Sequence, residues 1–132
     1  MDNRHIDDEY CKIGQELIDT QSELDYIKVS NATIIFLSSD YEKRSNKKKI
    51  YGQCEKVADK YKWGIPCDFT ITVFEPNVEG FTKEQIKILL FHELLHVGID
   101  FTDDGEKYYI NPHDLEDFKT IIDLYGTNWS EV

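Results

Sequence analysis

Apolar side chains recur at helical spacing in the first segment. Ile6, Tyr10, Ile13, Leu17, Leu24 and Ile27 lie three, four or seven residues apart, with Asp, Glu and Gln between them. That spacing predicts an amphipathic helix over about residues 6–27, weakened by Gly14. Residues 32–37, Ala-Thr-Ile-Ile-Phe-Leu, are short, β-branched and bounded by polar residues, which predicts a buried strand. A second strand, with poor alternation, is expected over residues 50–57. A third is expected over 68–75, where Phe69, Ile71 and Val73 point one way and Thr70, Thr72 and Phe74 the other. Pro76, Asn77 and Gly80 end it. Thr82 with Gln85 three residues on has the form of a capping box, so a helix begins near Lys83. It is expected to run to about Val97, with Gly98 as its left-handed C′ residue. A polar stretch with Asp103, Asp104 and Gly105 precedes a short β-like run over residues 107–110. Pro112 opens a last helix whose stripe is Leu115, Phe118, Ile121, Ile122 and Tyr125, ending at Gly126. No repeat, low-complexity block or linker divides the chain, so residues 1–132 are expected to form a single domain. The predicted fold is α+β: a sheet of three or four strands packed on the helix that starts near Lys83, flanked by N- and C-terminal helices. Strand order does not follow from the pattern.

Composition narrows the function. The chain has 15 basic and 26 acidic side chains, a net charge of −11. Such a field opposes nucleic-acid binding by phosphate neutralisation, so nucleic acid is an improbable partner. One local exception is Lys43, Arg44, Lys47, Lys48 and Lys49, five positive charges in seven residues. Outside that window 10 basic residues face 26 acidic ones, net −16. The cluster reads as a mobile, solvated loop between two strands, with a contact site for an acidic partner or nucleic acid as the alternative. Cys11, Cys54 and Cys67 form no C-x-x-C pair and leave one unpaired in any disulfide scheme, which favours a reducing compartment. The first residues contain no apolar leader and no apolar run approaches a membrane span, so a cytoplasmic protein without a membrane partner is expected.

The chemistry concentrates in His92-Glu93-Leu94-Leu95-His96. On a helix, residues four apart project from one face, and two imidazoles at that spacing can reach one tetrahedral Zn²⁺. Glu93 lies about 100° round the axis, which suits a general base acting on a neighbouring water better than a ligand. Ile88, Leu89, Leu90, Phe91, Leu94, Leu95 and Val97 surround these residues, so the helix is buried, and buried polar groups need partners. A metal and its water satisfy all three together. With four His and 12 Glu in the chain, the pattern arises by chance in roughly 1% of such sequences. Two core histidines bonded to carbonyls are the bland reading. A catalytic zinc takes a third protein ligand, for which His113 leads, 17 residues after His96. Asp100, Asp103, Asp104, Glu106, Glu116 and Asp117 are alternatives, and His113 could instead simply hydrogen-bond at a helix start. His5 reads as a surface histidine.

His92-Glu93-x-x-His96 is the zincin signature. Together with the Thr-Ile-Thr-Val strand, Phe91 to Gly98, Pro112-His113-Asp114-x-x-Asp117-Phe118 and Tyr125-Gly126, it resembles the putative phage metallopeptidase family over roughly residues 50–129. More loosely it is similar to SprT-type zincins. The resemblance implies a small zincin-like domain, one Zn²⁺ per chain held by His92, His96 and His113, and a phage- or prophage-encoded protein in the host cytoplasm. It departs from the metzincin pattern: Gly98 is one position early and Thr102 stands where that pattern has its third His.

The implied activity is hydrolysis of a peptide bond by a metal-activated water, with Glu93 as general base and a protein or peptide as substrate. Tyr108, Tyr109 or Tyr125 are candidates to stabilise the oxyanion, and the strand over residues 69–75 is a candidate edge for an extended peptide. Two other readings compete: a non-catalytic, zinc-stabilised binding module such as a phage inhibitor of a host factor, and a zinc hydrolase of a non-peptide bond.

Overall fold

A computed structural model of the chain describes residues 3–112. In chain order these form β1 (Arg4–Ile6), α1 (Asp8–Thr20), α2 (Asp25–Lys28), β2 (Ile34–Ser39), β3 (Arg44–Ser45), β4 (Lys48–Lys49), β5 (Gly52–Lys56), β6 (Phe69–Phe74), α3 (Lys83–Leu94), β7 (Val97–Thr102) and β8 (Gly105–Ile110). One sheet has the order β1-β2-β6-β5; β3-β4 and β7-β8 are separate hairpins. The architecture is the expected α+β, and the main sheet has four strands. The helix expected after Pro112 lies outside the described residues, as do His113, Glu116, Asp117 and Tyr125.

The centre of the sheet is parallel: β2 pairs with β6 from Ile34↔Phe69 to Ser39↔Phe74. The outer pairs, β1 with β2 and β5 with β6, are antiparallel. Phe69, Ile71, Val73 and also Thr72 and Phe74 are wholly buried. An interior strand covered on both faces loses the in–out alternation expected for residues 68–75. The apolar cluster joins Leu17 and Ile18 of α1, Phe36 of β2, Phe69, Ile71 and Val73 of β6, and Leu89, Leu90, Phe91 and Leu94 of α3.

The N-terminal helix is shorter than its periodicity suggests. Ile6 pairs with Leu37 in β1, a strand the sequence reading missed. Asp7 then caps α1, its carboxylate accepting the Tyr10 N–H at 3.0 Å. The helix stops at Thr20, because Gln21 is extended (φ −97°, ψ 118°), and a 3-10 turn over Ser22–Leu24 leads into α2. Gly14 is not a weak point of that helix. A methyl there would lie 2.6 Å from Cε1 and Cε2 of Phe36, so its absence lets α1 rest directly on β2.

Residues 43–49 are a hairpin rather than a mobile loop. Asn46 and Lys47 have φ of 51° and 65°, the two left-handed positions of a type I′ turn, and Ser45↔Lys48 and Arg44↔Lys49 pair around it. The buried Asn77 side chain closes its base, donating from Nδ2 to the carbonyls of Lys43 (2.7 Å) and Ile50 (2.8 Å).

The capping box of α3 forms as predicted. Gln85 N–H donates to Thr82 Oγ1 at 3.2 Å, and Thr82 N–H to Gln85 Oε1 at 2.8 Å. The helix ends three residues sooner than expected, and Gly98 is not its C′ residue. Gly98 lies in β7, where a Cβ would come within 2.6 Å of the Tyr109 ring stacked on it from β8. Its role is close packing across a hairpin.

Candidate metal and catalytic cleft

The last turn of α3 tightens where the motif sits. Leu95 N–H still reaches Phe91 O at 3.1 Å, but His96 N–H bonds Glu93 O, three residues back, also at 3.1 Å. The chain then leaves directly into β7. Tyr26 of α2 stitches this junction, its hydroxyl donating to Val97 O at 2.5 Å. Asn111, just beyond β8, grips His96 from two sides. Its N–H donates to His96 O at 2.7 Å, and its carbonyl lies 2.6 Å from His96 Nδ1. A carbonyl can only accept, so Nδ1 carries the hydrogen, and in the neutral ring that leaves the lone pair on Nε2. The His92 and His96 rings stand 5.2 Å apart at 65°. The motif therefore keeps both imidazoles on one side although the helix proper has ended between them.

Glu93 is 6% exposed. Burial pushes its carboxyl up to about 8, while the Cys54 backbone N–H, donating to the carboxylate, pulls the other way. Gly52 makes room for it: a Cβ there would lie 3.3 Å from Glu93 Cγ and 3.4 Å from Oε2. Burial, and then the negative charges of Glu93 and Glu55, raise the Cys54 thiol far above its usual range, so it stays protonated.

His92, Glu93 and His96 share one cleft of about 420 Å³ between α3, β5 and the end of β8. One wall is main chain. Tyr51 O accepts from Phe74 and Val57 N–H donates to Asp68, so odd-numbered residues of this strand pair with β6. Gly52 and Cys54 therefore turn their backbone groups away from β6, toward α3 and the cleft. The expected peptide edge, residues 69–75, is corrected here: β6 is interior, between β2 and β5, and β5 is the edge strand beside the motif.

Other candidates lie elsewhere. Asp100, Asp103, Asp104 and Glu106 belong to the β7–β8 hairpin and its turn and do not line the cleft. Glu106 instead accepts from Asn31 N–H at 3.0 Å and from the Tyr108 hydroxyl at 2.7 Å. Tyr108 packs its ring edge against Phe69 and Tyr109 covers Gly98, so neither reaches the cleft. His5 sits on β1, its Nε2 2.8 Å from Ser38 Oγ. Among the described residues no group of three His, Cys, Asp or Glu side chains could hold a metal ion. Cys54 N–H and Asn111 C=O were not foreseen. Both are backbone atoms, so no residue type signals them.

A four-stranded α+β fold with two histidines and a buried carboxylic acid on one edge-strand cleft defines the molecule as a small HExxH protein. The chain belongs to the putative phage metallopeptidase family, which matches residues 4–132. Comparison with curated proteins finds no match, and comparison with solved structures finds none. No helix among the described residues is long and apolar enough to cross a membrane.

Proposed function

We propose that the chain is a zinc-dependent peptidase with a zincin-like site, in which His92, His96 and His113 hold one metal ion and Glu93 is the general base. The observation that carries this reading is the convergence of His92, Glu93 and His96 on one cleft walled by the main chain of β5. The donors fit the ion: two imidazoles face one space, and one of them is oriented by a carbonyl on its second nitrogen, the usual outer-shell arrangement of a metal histidine. Zinc, when bound, lowers the pKa of a water toward 7 and polarises a carbonyl.

The chain's own residues supply the rest. Asn111 O fixes the His96 tautomer with its hydrogen on Nδ1. Burial raises the Glu93 carboxyl although its side chain borders the cleft, and a nearby cation would return it to the ionised form that a base requires. Cys54 N–H holds one carboxylate position, and Glu93 can take a proton from a water in the cleft and pass it to the leaving amine. An extended peptide is aligned by the outward main chain at Gly52. The bond from Cys54 also gives Glu93 a purely structural partner, which is what a non-catalytic, zinc-stabilised module would retain.

Elemental analysis of protein purified without added metal, wild type beside His113→Ala, tests the site. One zinc per wild-type chain, lost or weakened in His113→Ala, is expected. No metal in wild type after zinc is offered would sink the peptidase reading. Glu93→Gln should keep zinc and lose hydrolysis; unchanged biological function in that variant would select the non-catalytic module.

A further inference from the structure

The β3–β4 hairpin stands at the rim of the same cleft. Lys49 and Ile50 line it together with His92 and Glu93. In an antiparallel pair, directly opposed residues share a face, and the register sets Arg44 opposite Lys49. Like charges so placed repel, and the hairpin keeps them although the rest of the chain carries net −16. Arg44 is partly neutralised by Glu42 at 2.9 Å. Lys43 is engaged, with Nζ 2.6 Å from Gln53 Oε1 and 5.6 Å from the centroid of the Phe74 ring. Lys47, Lys48 and Lys49 are exposed, and among the described residues none has a carboxylate within ion-pairing distance. The hairpin is held in place by its two left-handed turn residues and by the two Asn77 bonds at its base. These cations are therefore presented from a fixed strand pair.

We propose that this hairpin is a charge-selecting arm of the cleft, and that it favours peptides with acidic side chains on the side of the scissile bond lying over β4. The cleavage part of this statement rests on the peptidase reading; the charge preference rests on the hairpin. An acidic peptide answers both the opposed Arg44 and Lys49 and the uncompensated lysines. A nucleic acid would meet three such cations on one small arm and a net −11 chain behind them.

The test uses peptides with one core sequence and Glu-Glu, Gln-Gln or Lys-Lys flanks. Wild type is compared with a triple variant, Lys47→Asn, Lys48→Gln and Lys49→Gln, Asn being tolerated at the left-handed turn position. Wild type should favour the Glu-flanked over the Lys-flanked peptide by about tenfold in kcat/KM at 50 mM salt, and the ratio should fall toward one at 500 mM salt or in the variant. Lys48→Glu with Lys49→Glu should invert the preference. Fluorescence anisotropy of the labelled Glu-flanked peptide on Glu93→Gln protein reads binding without turnover. Binding there, lost in the triple variant, supports the arm even if no peptide is cleaved and the peptidase reading fails. Three results would overturn it: a flank ratio unchanged in the triple variant; no anisotropy change with any peptide; or a 20-base-pair DNA duplex bound through these lysines while the acidic peptide is ignored. Neutralisation that alters thermal stability but not selectivity would mean an internal partner, and also overturns it.

Discussion

Asn77 offers the sharpest test of how the cleft rim is held. Its side chain is 4% exposed, and Nδ2 donates to two carbonyls that belong to opposite ends of the basic hairpin, Lys43 at 2.7 Å and Ile50 at 2.8 Å. Lys43 O has a second donor, Ile50 N–H at 3.1 Å, whereas no other protein donor to Ile50 O is seen among the described residues. Asn77→Ala therefore removes two hydrogen bonds worth about 1 kcal/mol each and leaves Ile50 O short of a partner. It also deletes Oδ1, which is buried without a partner among the described residues and whose loss returns part of that cost. The net expectation is a loss of about 1–3 kcal/mol in urea unfolding at pH 7. Asn77→Asp separates causes. It keeps the shape, so a packing role predicts near-wild-type stability. A donor role predicts the reverse, because an ionised carboxylate faces two carbonyl oxygens and a protonated one replaces only one of two bonds. Asp should therefore cost more than Ala at pH 7 and recover partly as pH falls. Amide exchange across residues 43–50 should accelerate in both variants. Asn77→Asp within about 0.5 kcal/mol of wild type would refute the donor account.

Two further perturbations follow from the same geometry. Gly14→Ala gains about 1 kcal/mol of helix propensity but forces α1 off the Phe36 ring, which is buried and cannot swing away. A net loss of about 1–2 kcal/mol is expected by thermal or urea unfolding, and a stabilised Gly14→Ala would mean the helix does not rest on β2 there. In metal-free protein, burial raises Glu93 from its ordinary 4.5 to about 8. Between those values the folded chain keeps a proton that the unfolded chain has released, so stability falls as pH rises through that window. The loss is a few kcal/mol at most, since the adjoining cleft admits water, and it should vanish in Glu93→Gln. Equal pH slopes for wild type and Glu93→Gln between pH 5 and pH 8.5 would remove this assignment.

What the sequence determined by itself was whatever a few neighbouring residues decide. Thr82 and Gln85 start α3 because their capping bonds close within one turn. His92 and His96 share a side because four residues make about one turn, and the alternation of Phe69, Ile71 and Val73 with Thr70 and Thr72 reads as a strand. The α+β class followed from those, as did the choice of His92, Glu93 and His96 as the candidate site. Tertiary structure decided everything that depends on which distant segment lies alongside. β6 became interior and β5 the edge because β2 pairs with β6 in parallel across about 35 residues of chain, an outcome no local pattern encodes. Gly14 and Gly98 looked like a weakness and a cap. Only the Phe36 and Tyr109 rings, brought up from other strands, show that each is a point of close approach. The two groups that tune the motif, Cys54 N–H on Glu93 and Asn111 C=O on His96, are main-chain atoms. Every residue carries those atoms, so their identity is invisible in sequence and their position is fixed only by the register of β5 and the end of β8.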